Sequence, residues 1–146
     1  MKDAIAALPL DAYPARTPQT LRYNDMDRAG HVNNAIYSTL YEAGRVPILY
    51  DPERQMPPDG CHISIVRITI DYLAEMTWPG DVTIGSGVSR IGNSSVGFLQ
   101  AIFLEGRCCS AAESIVVLTN SATRRSEPLP AHARDHFERL LFKQGA

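Results

Sequence analysis

The chain has little excess charge of either sign and no long apolar run. Its 14 Lys and Arg residues stand against 16 Asp and Glu, for a formal net charge of -2. A nucleic-acid-binding protein needs a basic face to neutralise phosphates, so this balance argues against that class. No stretch approaches the roughly 18 apolar residues that would span a bilayer. The short apolar patch at residues 1–10 contains Asp3 and Pro9 and makes a poor signal peptide, so we expect a cytoplasmic protein with no membrane partner.

Several motifs of common catalytic sites are also missing. The chain has no Walker A loop, Gly-x-Gly-x-x-Gly fingerprint, Gly-x-Ser-x-Gly elbow or His-Glu-x-x-His motif. These absences argue against nucleotide hydrolysis, dinucleotide-dependent redox chemistry, and serine or zinc hydrolysis. Cysteine is scarce, and its three positions include an adjacent pair and match no zinc spacing: Cys61, Cys108 and Cys109. We therefore expect free thiols in a reducing compartment, and neither a metal nor a cofactor.

Length and composition indicate one ordinary globular unit. With 146 residues, 45% of them hydrophobic and 21% charged, the chain fits a single domain that buries a core without disulfides or metals. We expect an N-terminal arm over residues 1–19, a main domain over residues 20–125 and a C-terminal helical tail over residues 126–146. No internal repeat or linker divides the main domain.

One central helix is predicted over residues 34–46. Asn33 and Asn34 are both good N-caps, and Pro47 should end or kink the helix because it lacks an N–H and clashes with the preceding turn. Apolar residues cover most of the helix circumference. The polar ones share one narrow stripe: Asn34, Ser38, Glu42 and Arg45. A helix of this kind must be enclosed by other elements, most simply by a curved sheet.

The rest of the chain alternates in the manner of long β-strands. A first strand ends near Tyr23. Four more strands, the first with a bulge near Ile65, are predicted at residues 61–73, 82–91, 94–106 and 110–122. Residues 131–142 are predicted to form a short helix. This order of elements predicts an α+β domain, in which an antiparallel five-stranded sheet wraps around one long helix.

The segment between the first strand and the central helix carries the densest chemistry. Asp25 and Asp27 lie in a polar turn, and Gly30 and His31 follow just before the helix begins. A carboxylate beside a helix N-terminus places a base or nucleophile next to an anion-binding site, which is what attack on a carbonyl needs. The two aspartates could instead be only turn formers or caps, the commonest use of Asp at such positions.

The pattern Asp-Arg-Ala-Gly-His-Val-Asn-Asn-x-x-Tyr over residues 27–37 resembles that of the hotdog-fold acyl-CoA thioesterases of the 4-hydroxybenzoyl-CoA thioesterase family. The likeness extends over roughly residues 21–121, including Ile-Asp-Tyr-Leu at 70–73 and Ser-Arg-Ile-Gly-Asn-Ser-Ser at 89–95. The resemblance implies a hotdog fold and hydrolysis of a thioester. It also implies a homodimer or a dimer of dimers, with the sites between protomers.

The resemblance further implies roles for the residues of the motif. Asp27, the second Asp of an Asp-x-Asp motif, would be catalytic, by attacking the thioester carbonyl or by deprotonating the attacking water. Asp25 is the competing candidate. The backbone N–H of Asn34 would polarise the carbonyl. His31 or the Asn34 side chain would orient the water or the carboxylate, with a hydrogen-bonding loop residue as the alternative for His31.

A second set of residues is expected to contact the substrate. Asn33 and Tyr37 belong to the motif, although a helix cap and a core aromatic are their simplest roles. A CoA carrier also needs cations or backbone donors for its phosphates. By resemblance the candidates for that contact are Arg90, Ser94 and Ser95, with Arg67 and Arg107 as weaker ones. The alternative is a plain hairpin turn with a solvated Arg90.

The function expected from these residues is hydrolysis of an acyl-CoA to a free acid and CoA. Acyl-carrier-protein thioesters are an alternative substrate, but the scattered arginines of this mildly acidic chain favour CoA. A non-catalytic acyl-binding protein of the same fold is a further alternative, against which Asp27 argues because a pure binder has no use for it. The His-Val-Asn-Asn sequence at residues 31–34 is less aromatic than that of the benzoyl-CoA enzymes, which favours aliphatic acyl groups.

Overall fold

The computed structural model describes residues 8–143, and its helices and strands follow the predicted order. Their bounds are β1 (Ala15–Thr20), α1 (Asn34–Leu49), β2 (Cys61–Tyr72), β3 (Asp81–Ile91), β4 (Ser95–Leu104), β5 (Arg107–Asn120) and α2 (Ala131–Glu138). The strands form one antiparallel five-stranded sheet in the order β1-β3-β4-β5-β2. The predicted fold class is confirmed. Between residues 8 and 143, no helix is long and apolar enough to cross a membrane.

Helix α1 begins at its predicted cap. The side-chain oxygen of Asn33 accepts a hydrogen bond from the amide of Ala35 at 3.0 Å. The predicted end near residue 46 is wrong, since the helix continues through Pro47 to Leu49. Pro47 cannot donate the usual helix hydrogen bond to the carbonyl of Ala43, and the burial of Ile48 and Leu49 offsets this loss.

The helix and the sheet enclose two neighbouring apolar clusters. The cluster under the N-terminal half of α1 includes Tyr37, Leu40, Tyr41, Ile84 and Ile102. The cluster under its C-terminal end extends to α2 and includes Ile48, Leu49, Phe98, Val116 and Phe137. Full burial of a large apolar side chain stabilises a fold by about 1.5–3 kcal/mol. This packing holds the first turn of α1 at a defined place above the sheet.

A buried polar network also joins α1 to the sheet. The hydroxyl of Tyr41 donates to Oγ of Ser110 at 2.6 Å, and Nη1 of Arg45 donates to Oε1 of Gln100 at 3.1 Å. Arg45 is 5% exposed, and burial lowers the pKa of its guanidinium while the charge of Glu42 opposes that effect. The polar stripe predicted on α1 is therefore not wholly at the surface, because Arg45 turns inward to the sheet.

Strand β2 lies at one edge of the sheet and, among the described residues, pairs only with β5. Its register shifts between Ile65 and Arg67, which confirms the predicted bulge. At this bulge Ile65 and Val66 are 47% and 60% exposed. A long open edge with exposed apolar side chains is a favourable place for pairing with another chain.

The N-terminal part of the chain is more closely joined to the domain than the predicted boundary at residue 20 implies. All of strand β1 except Thr20 lies within the predicted arm, and the strand pairs with β3 along its whole length. Its sequence is mostly polar and contains Pro18, so it carries little strand signal, and its position at the sheet edge is one that tolerates proline. Residues 1–7 of the predicted arm lie outside the described residues.

The C-terminal tail contains the predicted short helix, which ends at Glu138 rather than near residue 142. Its buried side chains, Ala133 and Phe137, belong to the cluster under the end of α1. After the helix, the chain joins β3 through a hydrogen bond of 2.8 Å from the amide of Val88 to the main-chain oxygen of Leu140. Residues 144–146 of the tail lie outside the described residues.

Candidate active site

The loop between β1 and α1 is built around the buried side chain of Asp25, which is 3% exposed. Its Oδ2 accepts a hydrogen bond from the amide of Arg22 at 2.8 Å, and its Oδ1 accepts one from the Arg22 guanidinium, also at 2.8 Å. Its main-chain oxygen accepts the amide of Asn33 at 2.9 Å. Both carboxylate oxygens are engaged within the loop, so these contacts are those of a loop-forming residue.

Asp27, only two residues away, is exposed and held in a different manner. Its Oδ1 accepts hydrogen bonds from the amides of Ala29 at 2.8 Å and His31 at 3.2 Å. A tight turn supports this geometry, with Gly30 in the left-handed region at φ 84° and a main-chain bond of 2.7 Å from Asp27 to His31. Its Oδ2 has no hydrogen-bond partner among residues 8–143, so one carboxylate oxygen is fixed and the other is open.

The first turn of α1 contains one amide that has no hydrogen-bond partner among the described residues. The side chain of Asn33 accepts the amide of Ala35, and its main-chain oxygen accepts the amide of Ile36 at 2.9 Å. The amide of Asn34 has no partner within the described part of the chain. A free N–H at a helix N-terminus, where the helix dipole is positive, is suited to binding an oxyanion. This is the donor that the sequence predicts.

Asp27 and the first turn of α1 lie in the same pocket. It is an open pocket of about 360 Å³ on the helix side of the sheet. Its lining joins four predicted site residues to the loop that follows β2: Asp27, His31, Val32, Asn34, Tyr37, Tyr72, Leu73, Ala74 and Glu75. The structure thus brings Asp27, His31, Asn34 and Tyr37 together, whereas Asp25 and Asn33 support the pocket from outside its lining.

Two aromatic rings form one wall of the pocket. Tyr37 and Tyr72 meet edge to face, with ring centroids 4.9 Å apart. The Tyr72 hydroxyl donates to the main-chain oxygen of Asn34 at 3.2 Å, which ties the end of β2 to the first turn of α1. Burial raises the pKa of Tyr37 to about 12, so its phenol stays protonated near neutral pH. Sequence reasoning did not name Tyr72 as a site residue, although Tyr72 belongs to the Ile-Asp-Tyr-Leu segment at residues 70–73 that resembles the family.

Glu75 is the second residue that sequence reasoning missed. It follows β2, and its Oε2 lies 3.0 Å from Nε2 of His31. Nothing in the local sequence pairs the two residues, because 43 positions separate them and only the fold brings them together. The pocket therefore contains two carboxylates, Asp27 in the loop before α1 and Glu75 beside the imidazole of His31.

Arg90 and Ser95 lie elsewhere. Together with Arg67 they line a cleft of about 300 Å³ that shares no lining residue with the pocket of Asp27. Arg90 pairs with Gly97 just after the β3 irregularity, and the neighbours of that glycine, Val96 and Phe98, point into the core. The cleft therefore lies on the face of the sheet that is turned away from α1.

Two further predicted contacts can be placed. Ser94 lies in the turn before β4, where its main-chain oxygen accepts the amide of Leu118 at 2.9 Å. Arg107 lies nearer the pocket of Asp27, since its Nη2 donates to the main-chain oxygen of Glu75 at 3.3 Å.

The three cysteines are all free thiols. Across residues 8–143, no group of three or more His, Cys, Asp or Glu side chains is arranged to hold a metal ion.

Solved structures similar to this chain share its architecture. A predicted thioesterase from Bacillus stearothermophilus is 30% identical, with a TM-score of 0.79 over 90% of this chain and 98% of that one. A Pseudomonas aeruginosa protein is 28% identical, with a TM-score of 0.83 and coverages of 92% and 96%. A Thermus thermophilus thioesterase, complexed with coenzyme A and zinc, is 26% identical, with a TM-score of 0.78 and coverages of 89% and 96%. The predicted hotdog fold is thereby confirmed.

The family comparison is consistent with these neighbours. The model of the thioesterase-like superfamily matches residues 21–137, which is well over half of the chain. The protein belongs to the thioesterase-like superfamily, and its class of activity is thioester hydrolysis. None of the curated proteins compared with the chain matches it.

Proposed function

We propose that the protein hydrolyses acyl-CoA thioesters to a free acid and CoA in the pocket of Asp27 and Asn34. The observation that supports this proposal is that Asp27, with one carboxylate oxygen unpaired among the described residues, and Asn34, with its amide unpaired there, line the same pocket. The carboxylate supplies a nucleophile or a base, and the amide supplies a donor for the negative charge that forms on the carbonyl oxygen.

In this mechanism the thioester carbonyl lies over the first turn of α1. The amide of Asn34 donates to the carbonyl oxygen, and the helix dipole stabilises the charge that develops there. Asp27 either attacks the carbonyl carbon, giving a mixed anhydride that water opens, or takes a proton from a water that attacks. In both routes the carbon–sulfur bond breaks, and the departing CoA thiolate takes up a proton.

The nature of the substrate is supported by two observations. The Thermus thermophilus thioesterase, 26% identical to this chain, is complexed with coenzyme A, which supports CoA as the carrier. Val32, Tyr37 and Leu73 give the pocket an apolar wall beside the reactive groups, as an acyl group requires. We propose an aliphatic acyl group for this wall, in line with the sequence of residues 31–34, which is less aromatic than that of the benzoyl-CoA enzymes.

We also propose that the protein is a homodimer or a dimer of dimers whose protomers pair through the edge of β2. This open edge passes Ile65 and Val66 and ends at Tyr72, so a partner bound there would lie close to the pocket. The cleft of Arg67 and Arg90 faces away from the pocket of its own protomer. We propose that this cleft, with the Ser94–Ser95 turn, contacts CoA phosphates at another protomer's site.

Replacing Asp27 by Asn tests the reaction. Because the amide can neither attack nor accept a proton, we expect kcat to fall by about 10²–10⁴-fold, the contribution of a positioned base. The measurement is CoA release from short, medium, long and aromatic acyl-CoAs, with the protein's own three thiols subtracted. Binding of a non-hydrolysable acyl-CoA thioether should be unchanged.

Asp59→Asn is the matched control, since Asp59 is exposed and lies outside the pocket lining. It should retain full turnover. Turnover that survives in Asp27→Asn would contradict the role of Asp27. If the wild type binds acyl-CoA but turns over none of the panel, the proposed substrate class is wrong, and the carrier-protein or binding alternatives take its place.

A further inference from the structure

A second carboxylate faces His31 in the pocket, and the mechanism above makes no use of it. Glu75 lies in the loop between β2 and β3, and its Oε2 is 3.0 Å from Nε2 of His31. We propose that Glu75 is a positioning residue that fixes the orientation and the tautomer of the His31 ring, a role that rests on the thioesterase function proposed above.

The backbones that carry the two side chains are joined next to this contact. Met76, 1% exposed, accepts at its main-chain oxygen the amide of Val32 at 2.8 Å. Since Met76 follows Glu75 and Val32 follows His31, this one bond links the two loops. On its other side, the main-chain oxygen of Glu75 accepts a bond from Arg107 at 3.3 Å. The Glu75 side chain is 75% exposed, but the backbone from which it extends is held by these two hydrogen bonds.

The contact at Nε2 determines what the ring can do. An ionised carboxylate only accepts hydrogen bonds, so Nε2 carries the proton when the ring is neutral. Nδ1 is then the nitrogen that accepts a hydrogen bond, for example from a water molecule in the pocket. The opposite tautomer would present a donor there. Glu75 thus acts on the reaction through His31, without contact with the thioester.

This role can be separated from a contribution to stability. The contact is between partly exposed groups, with side-chain exposures of 37% for His31 and 75% for Glu75. Pairs of this kind contribute little to stability in water. Loss of Glu75 should therefore leave the melting temperature and KM unchanged. A positioning role predicts a lower kcat instead.

The first measurement is the tautomer of His31 by ring ¹⁵N spectroscopy in wild type, Glu75→Ala and Glu75→Gln. At about pH 8.5, above the ordinary titration range of imidazole, wild type should show the Nε2–H form and Glu75→Ala a mixture of both forms. Glu75→Gln, whose amide both accepts and donates, should lie between them. The chain's other three histidines are internal controls whose signals should not change: His62, His132 and His136.

The second measurement is steady-state turnover of acyl-CoA by the same variants. In Glu75→Ala we expect kcat to fall about 10-fold, which corresponds to about 1.4 kcal/mol and lies near the lower end of the contribution of a hydrogen bond to a charged group, with KM and melting temperature unchanged. Glu53→Gln is the control, because Glu53 is exposed in the Pro52–Arg54 turn and lies outside the pocket lining.

An unchanged His31 tautomer in Glu75→Ala overturns the proposal. A changed tautomer with unchanged kcat also overturns it, and so does a joint fall in melting temperature and kcat, which is the mark of a structural residue. If wild type hydrolyses no acyl-CoA, the proposed function fails by itself. The spectroscopic measurement then still decides whether Glu75 orients the ring.

Discussion

Asp25 and Asn33 differ from Asp27 and Asn34 in where their polar groups are directed, although the two pairs share one short loop and the same residue types. Asp25 places both carboxylate oxygens on Arg22, and Asn33 places its side chain on the first turn of α1. Asp27 and Asn34 line the pocket, and among the described residues one carboxylate oxygen of Asp27 and the amide of Asn34 have no hydrogen-bond partner. Asp25 and Asn33 thus use their side chains to build the loop and the helix cap, whereas Asp27 and Asn34 are the proposed reactive residues.

Asp25 and Asn33 are also bonded to each other. The main-chain oxygen of Asp25 accepts the amide of Asn33 at 2.9 Å, so these two residues close the loop onto the helix. Asp27 follows Asp25 by two residues and Asn34 follows Asn33 by one, so the hydrogen bond between Asp25 and Asn33 also helps to fix their backbone positions. Substitutions of Asp25 or Asn33 should therefore lower the stability of the fold, and substitutions that remove the reactive groups of Asp27 or Asn34 should lower kcat.

Asn34→Pro should have the largest effect of the substitutions in these two pairs, and that effect should be a loss of kcat. Proline lacks the N–H, yet it is favoured at the first position of a helix, and Asn33 already has the extended conformation, φ -58° and ψ 136°, that a residue before proline adopts. We expect a loss of about 2.7–4 kcal/mol of transition-state stabilisation, with the fold retained. The measurement is kcat together with the circular dichroism melting curve.

Asn34→Ala is the matched control, since it keeps the amide and removes only the side chain. It should retain most of the wild-type kcat. An equal loss of kcat in both variants would show that the side chain acts rather than the backbone N–H. Full activity in Asn34→Pro would contradict the proposal that the amide of Asn34 donates a hydrogen bond to the oxyanion.

Asp25→Asn should destabilise the protein without a comparable loss of catalysis. An amide in this buried position faces the donors of Arg22 with one acceptor fewer, so we expect the free energy of unfolding to fall by about 1–3 kcal/mol. Urea unfolding gives the stability, and kcat is measured under conditions in which the variant is folded. A large loss of kcat with unchanged stability would make Asp25 the reactive carboxylate instead.

Asn33→Ala should have a smaller effect than Asn34→Pro and Asp25→Asn, and that effect should be a loss of stability. Loss of the helix cap costs about 1 kcal/mol of stability and leaves the amide of Ala35 unpaired. Thermal unfolding should show the loss, and Asn33→Asp, which is also a good cap, should restore it. A fall in substrate affinity that Asn33→Asp does not restore would instead support the predicted contact of Asn33 with substrate.

Much of the fold was predictable because it follows from local patterns. The alternation of strands β2 to β5, the bulge near Ile65 and the cap at Asn33 follow from periodicity and backbone chemistry. Strand β1 was not predicted as a whole, because its mostly polar sequence does not alternate between apolar and polar residues, although the burial of its side chains does alternate. The end of α1 was misplaced because the tertiary burial of Ile48 and Leu49 outweighs the helix-breaking tendency of Pro47.

The residues of the candidate site also divide into those that a local sequence pattern predicts and those that only the fold brings together. Asp27, His31 and Asn34 are neighbours in the sequence, so one local pattern identifies them together. Tyr72 and Glu75 come from a distant segment, and their contacts with the first turn of α1 and with His31 depend on the path of β2 through the sheet. The catalytic and binding roles, like the cytoplasmic location, stay predictions that the variants above and direct localisation can test.

The sequence by itself determined the chemistry that could occur: a carboxylate, a tight glycine turn and a helix cap within a few residues, since the conformations of turns and caps depend on near neighbours. Only the tertiary structure decided which of two aspartates is open and which carboxylate meets His31. It also decided on which face of the sheet Arg90 lies. These outcomes depend on the burial of Asp25 and on strand pairing, which bring together residues that no local pattern connects.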